Sequence, residues 1–315
     1  MNEYANTVSK SSTRLAIRST FPVLMQYAAI LPIKSFRTAK KEGLKLLQFA
    51  NQSINRYKSL IDTDPELVKQ TLFTNVFKAE EDDNMTLDEI RNNSMAYIIA
   101  GSDTTANTLT FLLWHVCKRS EIKKKLAEEL RGLPDDFEEA DLRTLPYMNQ
   151  VIEETLRLYG AVQTGLPRAV PAGGESFLGY YLDPGTVVSC PIHTLHRWED
   201  IFPEGEVFKP ERWEAPTQAM KDVFMPFGKG ARSKLCSGDC PLPIRIAICE
   251  ANTYSTDCIG LHLARIELRL GVALFFRKFP DAAISSLEGM GEEDMKPQSY
   301  FIMNPVGRRC LIQEH

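Results

Sequence analysis

The chain has no long apolar run. Its longest apolar stretch near the N-terminus, Phe21 to Ile33, is broken by Pro22, Gln26 and Pro32. It falls short of the roughly 17–25 residues that a membrane helix needs. The opening MNEYANTVSKSSTRLAIRST is polar and has no apolar h-region, so no secretory signal is expected. An excess of positive charge is also missing. Lys plus Arg is 37 against 41 for Asp plus Glu, a net charge of −4, which excludes the basic balance of a nucleic-acid binder. Histidine is scarce. His193, His196 and His262 show no H-E-x-x-H spacing and read as polar loop or helix residues rather than metal ligands. Of the three tryptophans, Trp114, Trp198 and Trp213, each reads as a packing residue. With no sign of secretion, the seven cysteines are expected to be reduced thiols. Cys117, Cys190 and Cys310 are scattered and read as buried free thiols, whereas Cys236, Cys240, Cys249 and Cys258 cluster. What remains is an ordinary globular balance, 43% hydrophobic and 25% charged over 315 residues, long enough for a large core.

Helices dominate the pattern. Residues Thr38 to Leu60 carry no proline and repeat Leu44, Leu47 and Ile54 at helical intervals. Thr86 and Glu89 form a T-x-x-E capping box. From there to about Arg119 no proline intervenes and Gly101 is the only glycine, which predicts one long helix, apolar on most sides and central to the molecule. Shorter helices are predicted from Glu121 to Arg131, ended by Gly132, and from Tyr147 to Tyr159, ended by Gly160. Leu166 to Val170, Phe177 to Leu182 and Thr186 to Ser189 read as short strands, with a turn at Pro184-Gly185. A Pro-, Trp- and charge-rich loop follows over about 197–226. The last strong helix is Ile259 to Lys278, and Tyr300 to Ile312 reads as two short strands around Asn304-Pro305-Val306-Gly307. The predicted fold class is mainly α with small peripheral β-sheets.

Four motifs occur in order. Ala100-Gly101-Ser102-Asp103-Thr104-Thr105 interrupts the long helix with poor helix formers. Its threonines can bond back to the carbonyl one turn earlier. It reads either as a packing notch under a crossing helix or as a local opening beside an acid and a hydroxyl. Glu154-x-x-Arg157 puts both charges on one helix face, and alone it reads as a surface ion pair worth ~0–1 kcal/mol. Pro210-Glu211-Arg212-Trp213 alone is a turn with a charged tip. Phe227-Gly228-Lys229-Gly230-Ala231-Arg232-Ser233 is a glycine-rich loop without the GK[ST] of a phosphate cradle.

Together the four resemble the C-terminal part of a cytochrome P450, a haem-thiolate monooxygenase, with wording most similar to fungal microsomal members. The long-helix motif matches A-G-x-D-T-T. Glu154, Arg157 and Arg212 match the Glu-Arg-Arg triad, and Phe227-x-x-Gly230-x-Arg232 matches the first half of the cysteine loop. The resemblance implies haem b, O2 and NADPH-derived electrons passed through a flavoprotein reductase, and hydroxylation of a small apolar organic substrate in fungal secondary or xenobiotic metabolism. Asp103 and Thr104 would deliver protons to dioxygen, and Gly101 would leave it room. Glu154, Arg157 and Arg212 would form a buried network behind the cysteine loop. Arg232 and Arg168 would meet haem propionates, and a thiolate on iron would favour O–O cleavage. Phe227, Gly230 and Gly260 would shape the cofactor site. Tyr97, Ala100, Val162, Leu166, Phe301 and Ile302 would line the substrate pocket. Lys229 and Lys234 could face the reductase, or simply solvent.

The cysteine loop departs from the family's F-x-x-G-x-R-x-C-x-G. Joining Ser233 to Cys258 would give the full match FGKGARSCIGLHLAR, so residues 234–257 read as a 24-residue insertion. Cys258 opens the strong C-terminal helix, whose N-terminus favours an anionic ligand; it is the expected iron ligand, with Cys236 as the alternative. Ser233-Lys234 can be coded AGT-AAG, Ala251-Asn252 GCT-AAC and Thr256-Asp257 ACA-GAT, which supply splice donor, branch point and acceptor signals. The insertion is therefore expected to be a retained intron, whose removal would leave FGKGARNCIG.

On this reading the chain is a single incomplete cytochrome P450 domain, N-terminally truncated. Residues 1–85 hold the preceding helices, 86–119 the oxygen-site helix, and 120–315 the triad, cysteine loop and final helix and strands. Full-length relatives would sit on the endoplasmic reticulum membrane, while this chain, having no anchor or transmembrane segment, would be cytosolic or peripheral. The alternatives are a catalytically inactive remnant and, as a minor one, a four-cysteine zinc segment using Cys236, Cys240, Cys249 and Cys258.

Overall fold

The computed structural model describes residues 21, 23, 27, 34–63, 86–165, 167–177, 179–229, 258–299 and 301–314. Gly230, Arg232, Leu166, Cys236, Cys240, Cys249 and the 234–257 insertion lie outside the described residues. The chain forms two compact units, Met1–Asp103 and Thr104–His315, and helix α2 runs through the division. Among the described residues no helix is long and apolar enough to cross a membrane.

In the first unit, α1 spans Lys34–Thr63 and buries Leu46, Ala50 and Ile54 at four-residue intervals, one stripe of the helix. Helix α2, Leu87–Lys118, starts where the capping box puts it. The Thr86 amide donates to Glu89 Oε2 at 2.8 Å, and the Glu89 amide donates back to Thr86 Oγ1 at 3.3 Å.

The second unit holds the larger core. The C-terminal part of α2 buries Phe111, Leu112, Trp114, Val116 and Cys117, so it is apolar on nearly every side as the sequence suggests. Helices α3 (Ser120–Arg131), α4 (Glu139–Arg143) and α5 (Pro146–Tyr159) follow. The C-terminal α8, Leu261–Lys278, packs on all three. Its Gly271 allows it to approach α2 closely, since a Cβ there would lie 3.0 Å from Leu109 Cδ2. Leu112, Leu126, Leu142, Met148, Val151, Leu268, Val272 and Phe276 fill the joint core.

The strands form four two-stranded antiparallel sheets. β1 (Arg168–Ala169) pairs with β4 (Val187–Val188), with Arg168 opposite Val188. The predicted strand Phe177–Leu182 is instead a hairpin. β2 (Glu175–Phe177) pairs with β3 (Tyr180–Leu182) and the chain reverses at Gly179, whose φ of 84° suits glycine. The tail also differs. β7 (Met303–Pro305) contains Asn304 and Pro305 and pairs backward with β6 (Pro297–Ser299), so the reversal falls before Asn304 rather than after it. Pro305 fits because a two-stranded ribbon leaves its outer edge without a ladder partner. β8 (Ile312–Gln313) pairs with β5 (Ala283–Ile284). Between β4 and α8 lie α6 (Ile192–Leu195), a 3₁₀ turn at Pro210–Trp213 and α7 (Gln218–Val223).

Candidate functional site

Glu154 and Arg157 lie on the inner face of α5, and both side chains are fully buried. The surface-pair reading of this motif is thereby corrected. The helix directs the pair into the second unit, under the loop that carries Pro210–Trp213. Arg157 Nε donates to Glu154 Oε2 and Arg157 Nη2 to Glu154 Oε1, both at 2.8 Å. Arg212 Nε adds a bond to Glu154 Oε1 at 3.1 Å, as does the Lys209 amide at 2.8 Å. Trp213 is more than a packing residue, because its indole N–H donates to Glu154 Oε2 at 2.9 Å. Glu154, Arg157 and Arg212 therefore meet at one carboxylate. A buried charge is tolerated only when it is paired and hydrogen-bonded, and here both conditions hold.

His196 completes the surroundings, although in sequence it reads only as a polar loop or helix residue. It caps α6 and is fully buried. The Met225 amide donates to its Nε2 at 3.0 Å, so the proton sits on Nδ1, which donates to the Arg157 carbonyl at 3.0 Å. Burial first, and the nearby Arg157 and Arg197 charges after it, hold its pKa down at about 3. The ring is neutral and works as a fixed two-ended clamp between α5 and the segment leading to Phe227. Only its place on a pattern of buried neighbours distinguishes it, and no motif marks it. Gln163 and Arg197 extend the same network, through Gln163 Nε2 to the Arg157 carbonyl at 2.9 Å and Arg197 Nη2 to the Leu158 carbonyl at 2.7 Å.

The cysteine-loop flanks come together. The Cys258 amide donates to the Phe227 carbonyl at 2.9 Å, and the Cys258 carbonyl accepts from the Leu261 amide at 3.1 Å as α8 begins. Gly228, between α7 and this junction, takes a φ of 85°. Cys258 is the exposed thiol among the described cysteines. Cys117 is buried, as expected, but Cys190 and Cys310 are only half-buried. Burial pushes the Cys117 thiol up to about 12 and the Cys310 thiol up to about 11. Cys258 suits a haem iron by its donor chemistry: it is a soft sulfur at a helix mouth with no acidic residue in the first turn. A Cβ at Gly260 would rest 3.7 Å from its Sγ, in space that glycine leaves open. Among the described residues no group of three or more His, Cys, Asp or Glu could hold a metal ion.

The other predicted residues are placed as follows. Tyr97 is half-buried on α2, Ala100 and Gly101 are exposed, Asp103 is buried and Thr104 is half-buried. A Cβ at Gly101 would meet no described atom within 4 Å, so the packing-notch reading has no counterpart among the described residues. The Thr104 carbonyl accepts from Thr108 Oγ1 at 3.0 Å, a back-bond one turn on. Val162 and Phe301 are both half-buried, and their segments are joined where the Met303 amide donates to the Ala161 carbonyl at 2.8 Å. Asn107 Nδ2 ties α2 to that same strand through Asn304 Oδ1 at 2.9 Å, a contact with no sequence signal. Arg168 Nη1 donates to the Pro167 carbonyl at 3.0 Å. Lys229 Nζ caps the end of α7 by donating to the Asp222 carbonyl at 2.8 Å.

Comparison with known proteins gives a consistent result. The cytochrome P450 family model matches residues 1–240. The chain is 43% identical over 298 residues to cytochrome P450 monooxygenase orf2 of Aspergillus niger, covering 95% of this chain and 56% of the relative. It is 40% identical to cytochrome P450 monooxygenase azaI of Aspergillus niger, covering 95% of this chain and 62% of that protein. It is 39% identical to tazI of Aspergillus terreus, covering 99% of this chain and 59% of that protein. The chain thus spans less than two thirds of the length of these relatives. The fold matches the retinoic-acid-bound cyanobacterial CYP120A1 with a TM-score of 0.66 at 21% identity, over 90% of this chain and 58% of that one. The mainly helical fold, the match to the family model and the identity to fungal monooxygenases agree: the chain belongs to the cytochrome P450 family.

Proposed function

We propose that the chain provides the thiolate side of a haem-dependent monooxygenase that hydroxylates a small apolar organic substrate with O2. The electrons come from NADPH through a flavoprotein reductase, and the reaction serves fungal secondary or xenobiotic metabolism. When bound, haem supplies the activation of dioxygen. Cys258 would hold the iron through its sulfur, with Gly260 leaving space open beside that sulfur and Phe227 and Gly228 forming the loop edge that receives the Cys258 amide. Glu154, Arg157 and Arg212 hold the segment leading into the cysteine loop. Arg168, with Arg232, is assigned to the propionates. By motif, Asp103 and Thr104 supply protons and Gly101 leaves room for oxygen, while Val162, Phe301 and Tyr97 contribute apolar surface for the substrate.

The observation that carries this reading is the 2.9 Å bond from the Cys258 amide to the Phe227 carbonyl. It joins the two halves of the cysteine loop as though residues 234–257 were not between them, and it favours Cys258 over Cys236. The test is the absorption spectrum of the haem-loaded chain, reduced under carbon monoxide. A red-shifted, thiolate-type Soret band that is lost in Cys258→Ser and kept in Cys236→Ser supports the assignment. Loss in Cys236→Ser alone refutes it.

One observation favours a second reading, an inactive product of a retained intron. The family match ends at residue 240, inside the 234–257 segment. Sequencing mature transcripts decides it. Messages that lack the 24 codons support the retained intron, and messages that keep them overturn it.

A further inference from the structure

Next to the buried triad, α5 presents a second carboxylate, Glu153, to a different partner. Arg265, on the second turn of α8, grips it with two nitrogens. Nη1 bonds Oε1 closely, and Nη2 reaches Oε2 at 3.3 Å. Both side chains keep about a quarter of their surface exposed, 25% for Arg265 and 21% for Glu153. The same guanidinium lies over the Phe227 ring, 5.5 Å from its centroid. Phe227 in turn packs on the main core and accepts the Cys258 amide through its carbonyl. The contacts run in one line: Glu153, Arg265, Phe227, Cys258.

A partly exposed ion pair alone contributes little. This pair has a further geometric consequence. A guanidinium is planar, and when one edge is engaged bidentately its face is free to stack on an aromatic ring. Glu153 sets the plane of Arg265, and that plane fixes the Phe227 ring. Phe227 is one residue before Gly228, whose positive φ is a point of conformational freedom. Without a clamp on the ring, the carbonyl that receives the Cys258 amide has a mobile neighbour on one side. The triad reaches this loop from the side of α6, through His196, whose Nε2 accepts from the Met225 amide. The Glu153–Arg265 pair acts from the side of α8, the helix that Cys258 precedes.

We infer that Glu153 and Arg265 are positioning residues for Cys258, acting through the Phe227 ring. The inference rests on the reading of Cys258 as the iron ligand, and the test separates the two. Its first readout needs no haem: hydrogen exchange at the Cys258 amide in the full chain. Arg265→Gln and Glu153→Gln should each speed that exchange by tenfold or more, with the amides of α5 unchanged. Arg265→Lys should fall between, because it keeps the cation over the ring but loses the planar grip. Its second readout is the thiolate-type fraction of the reduced, carbon-monoxide-bound spectrum, which should fall in Arg265→Gln and partly recover in Arg265→Lys. Unchanged exchange at Cys258 in both glutamine variants overturns the positioning role, whatever the spectrum shows. Equal acceleration throughout α5 and α8 also overturns it, because the pair would then be a general stabiliser. If exchange responds as expected but the parent chain has no thiolate band, the positioning of the Cys258 backbone stands and the ligand assignment fails.

Discussion

Arg157 places two parallel N–H donors on Glu154, 2.8 Å each, with both side chains closed off from solvent. Its remaining N–H groups go to the carbonyls of His196 at 2.5 Å, Gly205 at 2.6 Å and Val207 at 3.2 Å. All five donors of the guanidinium are therefore used. The pair does not simply cancel charge inside the protein. It fixes the path of the chain from α6 to the 3₁₀ turn, because three backbone carbonyls of that segment end on one side chain.

This makes charge conservation insufficient at position 157. Lysine offers three donors and no planar fork. Arg157→Lys should lose at least two of these five bonds, at roughly 0.5–1.5 kcal/mol each. Glu154→Ala should cost more, about 3–5 kcal/mol, because it strands the arginine charge. Urea denaturation of the purified chain measures both. A loss below about 1 kcal/mol for Arg157→Lys would show that water or a shifted loop replaces the missing donors.

Trp213→Phe isolates a single bond. The ring that packs on Phe224, with centroids 4.6 Å apart, is largely retained, while the donor to Glu154 is removed. Hydrogen bonds to a charged partner contribute about 1.5–3 kcal/mol, and a loss in that range is expected. A denaturation midpoint equal to that of the parent chain would place Trp213 back among the packing residues.

The contrast between Arg157 and His196 shows what the sequence could reveal. Glu154, Arg157 and Arg212 were readable because a motif names them, although their spacing alone suggested the opposite environment, a solvated face. Burial is a property of the tertiary fold, and a three-residue spacing does not report it. The long α2 helix and its capping box were readable because their signals are local. The β2–β3 hairpin reads as one strand because aromatic and aliphatic residues run on both sides of the single Gly179, and two-residue reversals leave little pattern. His196, Gln163 and Trp213 gave no warning because each acts by bonding to backbone or to a residue far away in the chain. The Phe227–Cys258 contact spans the inserted segment, and it was anticipated only by matching the flanks to one another.

His196 predicts a pH dependence of stability. Its ordinary value is 6.5, and in the folded chain it lies at about 3. Between these values the unfolded chain holds a proton that the folded chain does not, so stability rises with pH there. His115, buried between Tyr159 and Phe208 and close to Arg119, is also lowered to about 3 and adds in the same direction. Stability should be fully present above about pH 6.5 and fall steadily as the solution is acidified toward about pH 3. His196→Gln should be less stable at pH 7 but should show a shallower decline between pH 6.5 and 5. Denaturation midpoints at a series of pH values test this. An identical slope in the variant would mean that His196 does not gain its proton on unfolding.

Gly205→Ala probes the same network from its backbone side. A Cβ at Gly205 would lie 2.3 Å from the Arg197 carbonyl oxygen and 2.9 Å from its carbon, and neither atom can swing away as a side-chain tip could. The Gly205 amide also donates to Glu199 Oε1 at 2.9 Å, and its carbonyl accepts from Arg157. Relief of the clash must therefore move an atom that Arg157 holds. Overpacking of this kind typically costs about 1–3 kcal/mol, and a lost buried bond to Arg157 adds to it. Because both changes act on one contact, Gly205→Ala and Arg157→Lys should not add. The double variant should be less destabilised than the sum of the two by roughly 0.5 kcal/mol or more. Strict additivity would show that the loop yields elsewhere and that the Gly205 carbonyl stays on its arginine, which would place the cost of the alanine in the Arg197 backbone alone.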